Sequence, residues 1–373
     1  MKLATRCVQL GRGDDGHGAI VPPIYQTATF EQPSATEFGE FDYTRSGNPT
    51  RSLLEAQLAD LENANYACAF ASGMAALTAL MRIVKAGEEI IAGDDLYGGT
   101  VRLLDRLSSH QNISVRYVDT TNVAELKNAL TNRTRLILIE TPSNPLFRVS
   151  DIHALASIAK DAGAYLAVDN SMLSPVFQQP LKLGADIVVH SATKFLCGHS
   201  DVTAGALITN DPLLHQQFAF QQNAEGAGLS PFESWLLLRG LKTLALRVER
   251  QSDSAGKIAR FLKMRSEVTQ VFYPGLGAVI SFTTGDEKLS AAIVETTRLF
   301  KVAVSFGSVG STISLPCRMS HASIPVALRD RLAPPSDLVR ISVGIEDVND
   351  LILDLERAFA ANSRAEQLEE AVQ

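Results

Sequence analysis

The chain has 373 residues, 46% of them hydrophobic and 20% charged, with a formal net charge of −7. That length exceeds what one simple core buries, so two units are expected. The acidic balance, with no basic run, excludes a general nucleic-acid binder.

Residues 1–48 are rich in Gly, Pro and polar residues and lack periodicity. They read as an extended arm, with no apolar core of a secretory signal. From Pro49 the pattern changes: residues 50–64 place Leu53, Leu54, Leu58 and Leu61 on one helical face. An apolar run over 66–71 ends at Ser72-Gly73, and a helical stretch follows over 74–84. Apolar runs at 89–92, 114–118, 135–139, 165–168, 187–190 and 206–209 then alternate with helical patterns. Short, non-alternating runs bounded by turn residues describe buried strands of a parallel sheet covered by helices. Beyond about residue 246 a long helical segment over 247–264 leads into strand-like pieces and a charged helix from Val348 to about Ala361, before a polar tail expected to fray. The expected division is an arm (1–48), a large domain (49–245) and a smaller α/β domain (246–373). No run of about 18 apolar residues is present to span a membrane. Cys7, Cys68, Cys197 and Cys317 form no CxxC pair, which argues against a disulfide framework or structural zinc and fits a reducing, cytosol-like compartment.

Five features carry possible chemistry. His190-Ser-Ala-Thr-Lys194 puts Ser191, Thr193 and Lys194 at the C-terminal edge of a strand, where ligands of open α/β sheets sit. A partly desolvated lysine there can bond to a cofactor aldehyde, although a plain surface lysine has the same local sequence. Asp169, in Ala-Val-Asp169-Asn, is placed either to hold a pyridine nitrogen protonated or to cap a helix. Ser72-Gly73-Met74 lies between strand and helix and reads as a phosphate-binding helix start or an ordinary cap. No GxGxxG or Walker A pattern lies at this strand–helix junction, which disfavours a nucleotide site there. Tyr97, among turn residues 93–99, can lie flat on an aromatic ring or be structural. Arg340 sits inside a hydrophobic strand, 338–343, and needs an anion: a substrate carboxylate or a buried salt bridge.

Together these stretches resemble the Cys/Met-metabolism family of pyridoxal-phosphate (PLP) enzymes, which includes cystathionine β-lyase, cystathionine γ-lyase and cystathionine γ-synthase. The resemblance runs through YTRSGNPT (43–50), SGMAA (72–76), DDLYGGT (94–100), ETPSNP (140–145), VDNS (168–171), HSATKF (190–195), MSHAS (319–323) and VRISVGIED (339–347). It implies an α/β fold of type I, like aspartate aminotransferase, with a large, mostly parallel seven-stranded sheet and a smaller C-terminal domain. It implies pyridoxal 5'-phosphate as cofactor, no metal, an amino-acid substrate, and a homotetramer of two active-site-sharing dimers.

The same resemblance implies residue roles. Lys194 matches the Schiff-base lysine and proton shuttle, Asp169 the partner of the pyridine nitrogen, and Tyr97 the ring-stacking tyrosine with a part in proton transfer. Ser72, Gly73, Met74, Ser191 and Thr193 match the phosphate site, with Ser171 close to the ring face. Tyr43 and Arg45 match the pair reaching the neighbouring subunit's phosphate, Tyr43 also meeting substrate. Arg340, Asn144 and Ser305 match groups around the substrate carboxylate. Many γ-enzymes carry Glu where this chain has Val304, and the surrounding VAVSFGSV and SLPCRMSHASIP look most like plant-type β-lyases. The expected reaction is therefore α,β-elimination of cystathionine, in methionine biosynthesis, in the cytoplasm or, if a transit peptide was removed, a plastid. The alternatives are a γ-lyase or γ-synthase on the same scaffold and a non-catalytic PLP- or metabolite-binding protein. One departure from the family pattern is a shortened link after Tyr273-Pro-Gly-Leu276, which puts the packing of the small domain in question.

Overall fold

A computed structural model describes residues 1–9 and 16–372. Seven strands build the larger sheet: β1 (Tyr66–Phe70), β2 (Glu89–Gly93), β3 (Ser114–Val118), β4 (Thr134–Glu140), β5 (Tyr165–Asp169), β6 (Ile187–His190) and β7 (Gly205–Thr209). Their spatial order is β1-β7-β6-β5-β4-β2-β3. The five from β3 to β6 run parallel, while β7 is antiparallel to both β1 and β6. Side chains of β2 and β7 are buried throughout, as expected where helices cover both faces. Leu138, Ala167 and Val189 point into one apolar cluster, and Ile137, Leu166 and Val168 into another. Successive residues thus face opposite layers.

Five further strands form the second sheet: β8 (Gln270–Phe272), β9 (Val279–Thr283), β10 (Lys301–Val302), β11 (Thr312–Ser314) and β12 (Val339–Ser342), in the order β10-β11-β12-β9-β8. Helices Leu244–Lys263, Glu287–Thr296 and Val348–Val372 share a core with it built on Ile258, Phe282, Ile293, Ile341 and Phe359. The shortened link after Leu276 does not open this sheet. Residues 273–278 close a hairpin between β8 and β9, with Gly275 and Gly277 at φ of +87° and +89°, a region that favours glycine. The Tyr273 hydroxyl braces the turn by donating to the Gly277 carbonyl at 3.1 Å.

Three expectations are corrected. The arm is not wholly extended: Leu3–Val8 is a helix whose Cys7 is buried in the large core, while positions 10–15 lie outside the described residues. The last helix continues past Ala361 to Val372. Asp169 caps no helix, because the next one begins at Ser174 behind Leu173.

Candidate active site

The parallel strands end on one side of the large sheet, the side on which ligands of open α/β sheets bind. Asp169 closes β5, Glu140 closes β4 in register with it, and Lys194 follows β6 by one turn. A cavity of about 430 Å³ opens over these ends. Its walls include Ser72, Gly73, Met74, Tyr97, Asn144, Asp169, Ser171, Ser191, Thr193, Lys194, Ser305 and Arg340. Residues from both sheets and seven separate segments of the chain thus converge on one space. Tyr43 and Arg45 do not join them. They line a second hollow of about 400 Å³ with Arg51 and Ser230. Among the described residues no cluster of three His, Cys, Asp or Glu could hold a metal.

Lys194 projects into the cavity, where its Nζ donates to the Ser305 hydroxyl at 2.5 Å. The amine also stands 4.9 Å from the centre of the Phe306 ring. Burial, then the like charge of Arg340, pulls its pKa down from the ordinary lysine value to about 8. Asp169 accepts from the Ser171 amide at 2.9 Å. Burial raises this carboxyl above its usual range, opposed by the Ser171 hydrogen bonds and the fields of His190 and Lys194. A desolvated carboxylate of this kind gains strongly from a cationic partner.

Arg340 is 2% exposed on β12. One of its nitrogens donates to Asn144 Oδ1 at 2.7 Å and another to the Ser305 carbonyl at 3.3 Å, while Nε has no partner among the described residues. The guanidinium lies 5.4 Å from the Phe306 ring centre. Its strand placement follows from the sequence, since flanking Val339 and Ile341 are fully buried in the small core. Ser305 therefore touches both cations, and it does so from a left-handed backbone, φ +84°, that costs a non-glycine residue about 1–2 kcal/mol.

At the other end, Ser72 caps the helix Gly73–Met81 by accepting from the Ala75 amide at 3.0 Å. The first backbone bond of that helix runs from the Ala76 amide to the Ser72 carbonyl, so the Gly73 and Met74 amides precede the helical ladder. A side chain at Gly73 would crowd Ser191, since a Cβ there would lie 3.0 Å from Ser191 Cβ and 3.1 Å from its Cα. Thr193 is more committed than expected: its hydroxyl donates to the Ala204 carbonyl at 3.2 Å and accepts from the Ala204 amide at 2.9 Å. The Ser171 hydroxyl accepts from the Ser191 amide at 2.6 Å, tying the β5 and β6 loops together.

Among the wall residues not singled out in the sequence are Glu140, Arg102, Phe306 and Met319. Glu140 is 8% exposed and accepts from the Tyr97 amide at 3.2 Å. Burial, then the neighbouring Asp169, pushes its carboxyl well above the ordinary range. Its position as the last residue of an apolar strand was the available signal, the same one that exposed Asp169.

The model of the Cys/Met metabolism PLP-dependent enzyme family matches residues 4–360. This chain belongs to the Cys/Met metabolism PLP-dependent enzymes. Within that family it is 50% identical to the chloroplastic cystathionine β-lyase of Arabidopsis thaliana, over 96% of this chain and 80% of the relative. It is 44% identical to the cystathionine γ-lyase of Bacillus subtilis, over 96% of this chain and 99% of that one. The crystal structure of a Lactobacillus plantarum cystathionine γ-lyase complexed with L-serine superposes with a TM-score of 0.93 at 40% identity, covering 96% of this chain and 99% of that one.

The cavity fits the family's pyridoxal phosphate on its own chemistry. An amine of lowered pKa can meet an aldehyde, a buried carboxyl with no ion-pair partner among the described residues can meet a pyridinium, and the Gly73–Met74 amides can meet a phosphate. A shared ring face is available beside Tyr97, 40% exposed at the cavity wall. The chain is a PLP-dependent enzyme, and in its described residues no helix is long and apolar enough to cross a membrane.

Proposed function

We propose that this chain catalyses the α,β-elimination of L-cystathionine to homocysteine, pyruvate and ammonia, as a cystathionine β-lyase. One observation carries the proposal: Lys194 and Arg340 are joined through Ser305 across a single cavity whose lip carries the uncharged, 58% exposed Val304. When bound, pyridoxal phosphate supplies an electron sink for the negative charge left at the substrate Cα.

The chain's own groups do the rest. Arg340, aimed by Asn144, receives the substrate carboxylate in a two-pronged contact and fixes Cα over Lys194. Lys194 holds the cofactor, and its amine, neutral in a useful fraction near pH 8, takes the Cα proton. Ser305 steers that amine between the two tasks. Asp169 would keep a positive charge on the cofactor nitrogen, Tyr97 would cover the ring and help move protons, and Ser72, Gly73, Met74 and Ser191 would hold the phosphate, with Thr193 adding its hydroxyl only by giving up its bond to the Ala204 carbonyl. Breaking the Cβ–S bond releases homocysteine, and the three-carbon remainder ends as pyruvate and ammonia after hydrolysis. At the lip Val304 offers no charge to a distal ammonium, which supports β- over γ-elimination, as does the higher identity to a β-lyase.

The proposed organisation is an arm (1–48), a large domain (49–245) and a small domain (246–373), assembled as a homotetramer of dimers in the cytoplasm or a plastid. The separation of Tyr43 and Arg45 from the Lys194 cavity supports their use by a neighbouring subunit. The purified enzyme with L-cystathionine is expected to yield pyruvate and homocysteine in equal amounts. Dominant 2-oxobutyrate and cysteine would overturn β-specificity, and no turnover by a cofactor-loaded protein would overturn the enzyme assignment.

A further inference from the structure

His321 belongs to the MSHAS segment and has no task in the chemistry above. It is 2% exposed, beneath the cavity wall formed by Met319 and Ser320. Its Nε2 lies 3.2 Å from the Asn144 carbonyl and its Nδ1 lies 2.9 Å from the Ser320 hydroxyl. Its ring meets the Tyr97 ring edge-on, with centroids 6.4 Å apart and planes at 84°.

A carbonyl only accepts, so the Asn144 contact assigns a proton to Nε2. Burial, then the charge of Arg340, draws the imidazole pKa down to about 4, against the carbonyls of Asn144 and Leu96. The ring is therefore neutral near pH 7, and Nδ1 accepts from the Ser320 hydroxyl. This imidazole thus ties together the turn bearing Tyr97 and the loop bearing Asn144. The side chain of that same Asn144 aims Arg340 at 2.7 Å. The junction has little slack: a Cβ at Gly98 would lie 2.8 Å from the Ser320 carbonyl oxygen and 3.0 Å from His321 Cα.

We propose that His321 is a positioning residue that couples the ring-covering Tyr97 to Arg340 through the Asn144 loop. The inference rests on Arg340 being the group that receives the substrate carboxylate.

The test compares holoenzymes carrying His321→Gln and His321→Met, two unbranched side chains of which only Gln keeps an N–H donor. The probe is L-alanine, which has the carboxylate and no leaving group at Cβ, followed through the change in cofactor absorbance on binding. His321→Met is expected to weaken L-alanine binding and raise KM for cystathionine about ten-fold, the size of one lost buried hydrogen bond. His321→Gln is expected to stay within about three-fold of the parent, and kcat is expected to fall less than KM rises in either variant. Ser320→Ala, a mild change that removes the donor to Nδ1, is expected to shift L-alanine binding in the same direction, and it decides the matter should both His321 variants fail to fold. Unchanged binding in His321→Met, equal losses in Met and Gln variants, or, where neither folds, an unchanged Ser320→Ala would overturn the proposal. Arg340→Lys separates the underlying assumption: if it binds L-alanine as the parent does, the carboxylate assignment fails rather than the role of His321.

Discussion

Two cations share one small space in this site, and the chain keeps both without an ion pair between them and a described acid. Lys194 and Arg340 lie 4.9 and 5.4 Å from the Phe306 ring centre and each meets Ser305. An aromatic face stabilises such charges by about 0.5–2 kcal/mol, yet burial and mutual repulsion still bring Lys194 to about 8. The neutral amine reacts with an aldehyde, so its reactive fraction grows as pH rises through about 8. Cofactor uptake by the apoenzyme, followed by absorbance, is expected to speed up with pH and level off above that midpoint. Arg340→Met removes the second cause of the lowering, so the midpoint is expected to move to higher pH; a midpoint that stays put would show that Arg340's field does not reach the amine. Ser305 permits a different separation. Ser305→Gly and Ser305→Ala both remove the hydroxyl, but only Gly releases the φ of +84°. Both are expected to lose turnover to a similar extent, with Ser305→Gly more stable than Ser305→Ala by about 1 kcal/mol in denaturant titration.

At the scale of the element, the turn between β1 and the helix Gly73–Met81 is clamped by β7. A Cβ on Gly205 would lie 2.8 Å from Gly73 Cα and closer still to the Ser72 backbone. Gly205→Ala must therefore push the Ser72–Met74 turn outward, at a cost of about 1–3 kcal/mol. Equilibrium dialysis of the apoenzyme is expected to show cofactor affinity reduced at least about ten-fold; parent-like affinity would mean the Ser72–Met74 turn does not bind the phosphate. The strands themselves were legible because a buried parallel strand is a short apolar run, and 114–118 and 187–190 match β3 and β6 end for end. The direction of β7 was not, since apolar runs read the same for parallel and antiparallel neighbours. Nor was Leu3–Val8, whose two turns owe their helix to packing of Cys7 against distant residues rather than to local periodicity. Twelve expected site residues line one cavity; the Ser72, Tyr97, Asp169, Lys194 and Arg340 stretches could be placed from the strand pattern, whereas Asn144, Ser171 and Ser305 were legible only through the family resemblance. Glu140 ends an apolar strand as Asp169 does, but its place beside Asp169 follows from the β4–β5 register, which the pattern does not give.

For the whole molecule, the decisive geometry is what the Lys194 cavity lacks. Tyr43 is 44% exposed and Arg45 stands beside it, its guanidinium 5.5 Å from the Tyr43 ring centre, around a separate hollow. The arm is nonetheless anchored to its own chain. Trp235 donates to the Pro22 carbonyl at 3.0 Å and Asn48 to the Tyr25 carbonyl at 2.9 Å. A fixed root with an exposed Tyr–Arg tip is suited to serving a second copy. In a two-fold dimer the exchange is reciprocal, each site taking Lys194 from one chain and Arg45 from the other. Lys194→Ala and Arg45→Ala homodimers would then be impaired at both sites. A mixed dimer would place both lesions in one site and leave the other intact. Random assembly of the two variants makes half the dimers mixed, so coexpression is expected to restore about a quarter of parental activity. Activity no higher than the mean of the two separate variants would place Arg45 and Lys194 in the same subunit's site and would remove the case for a shared one.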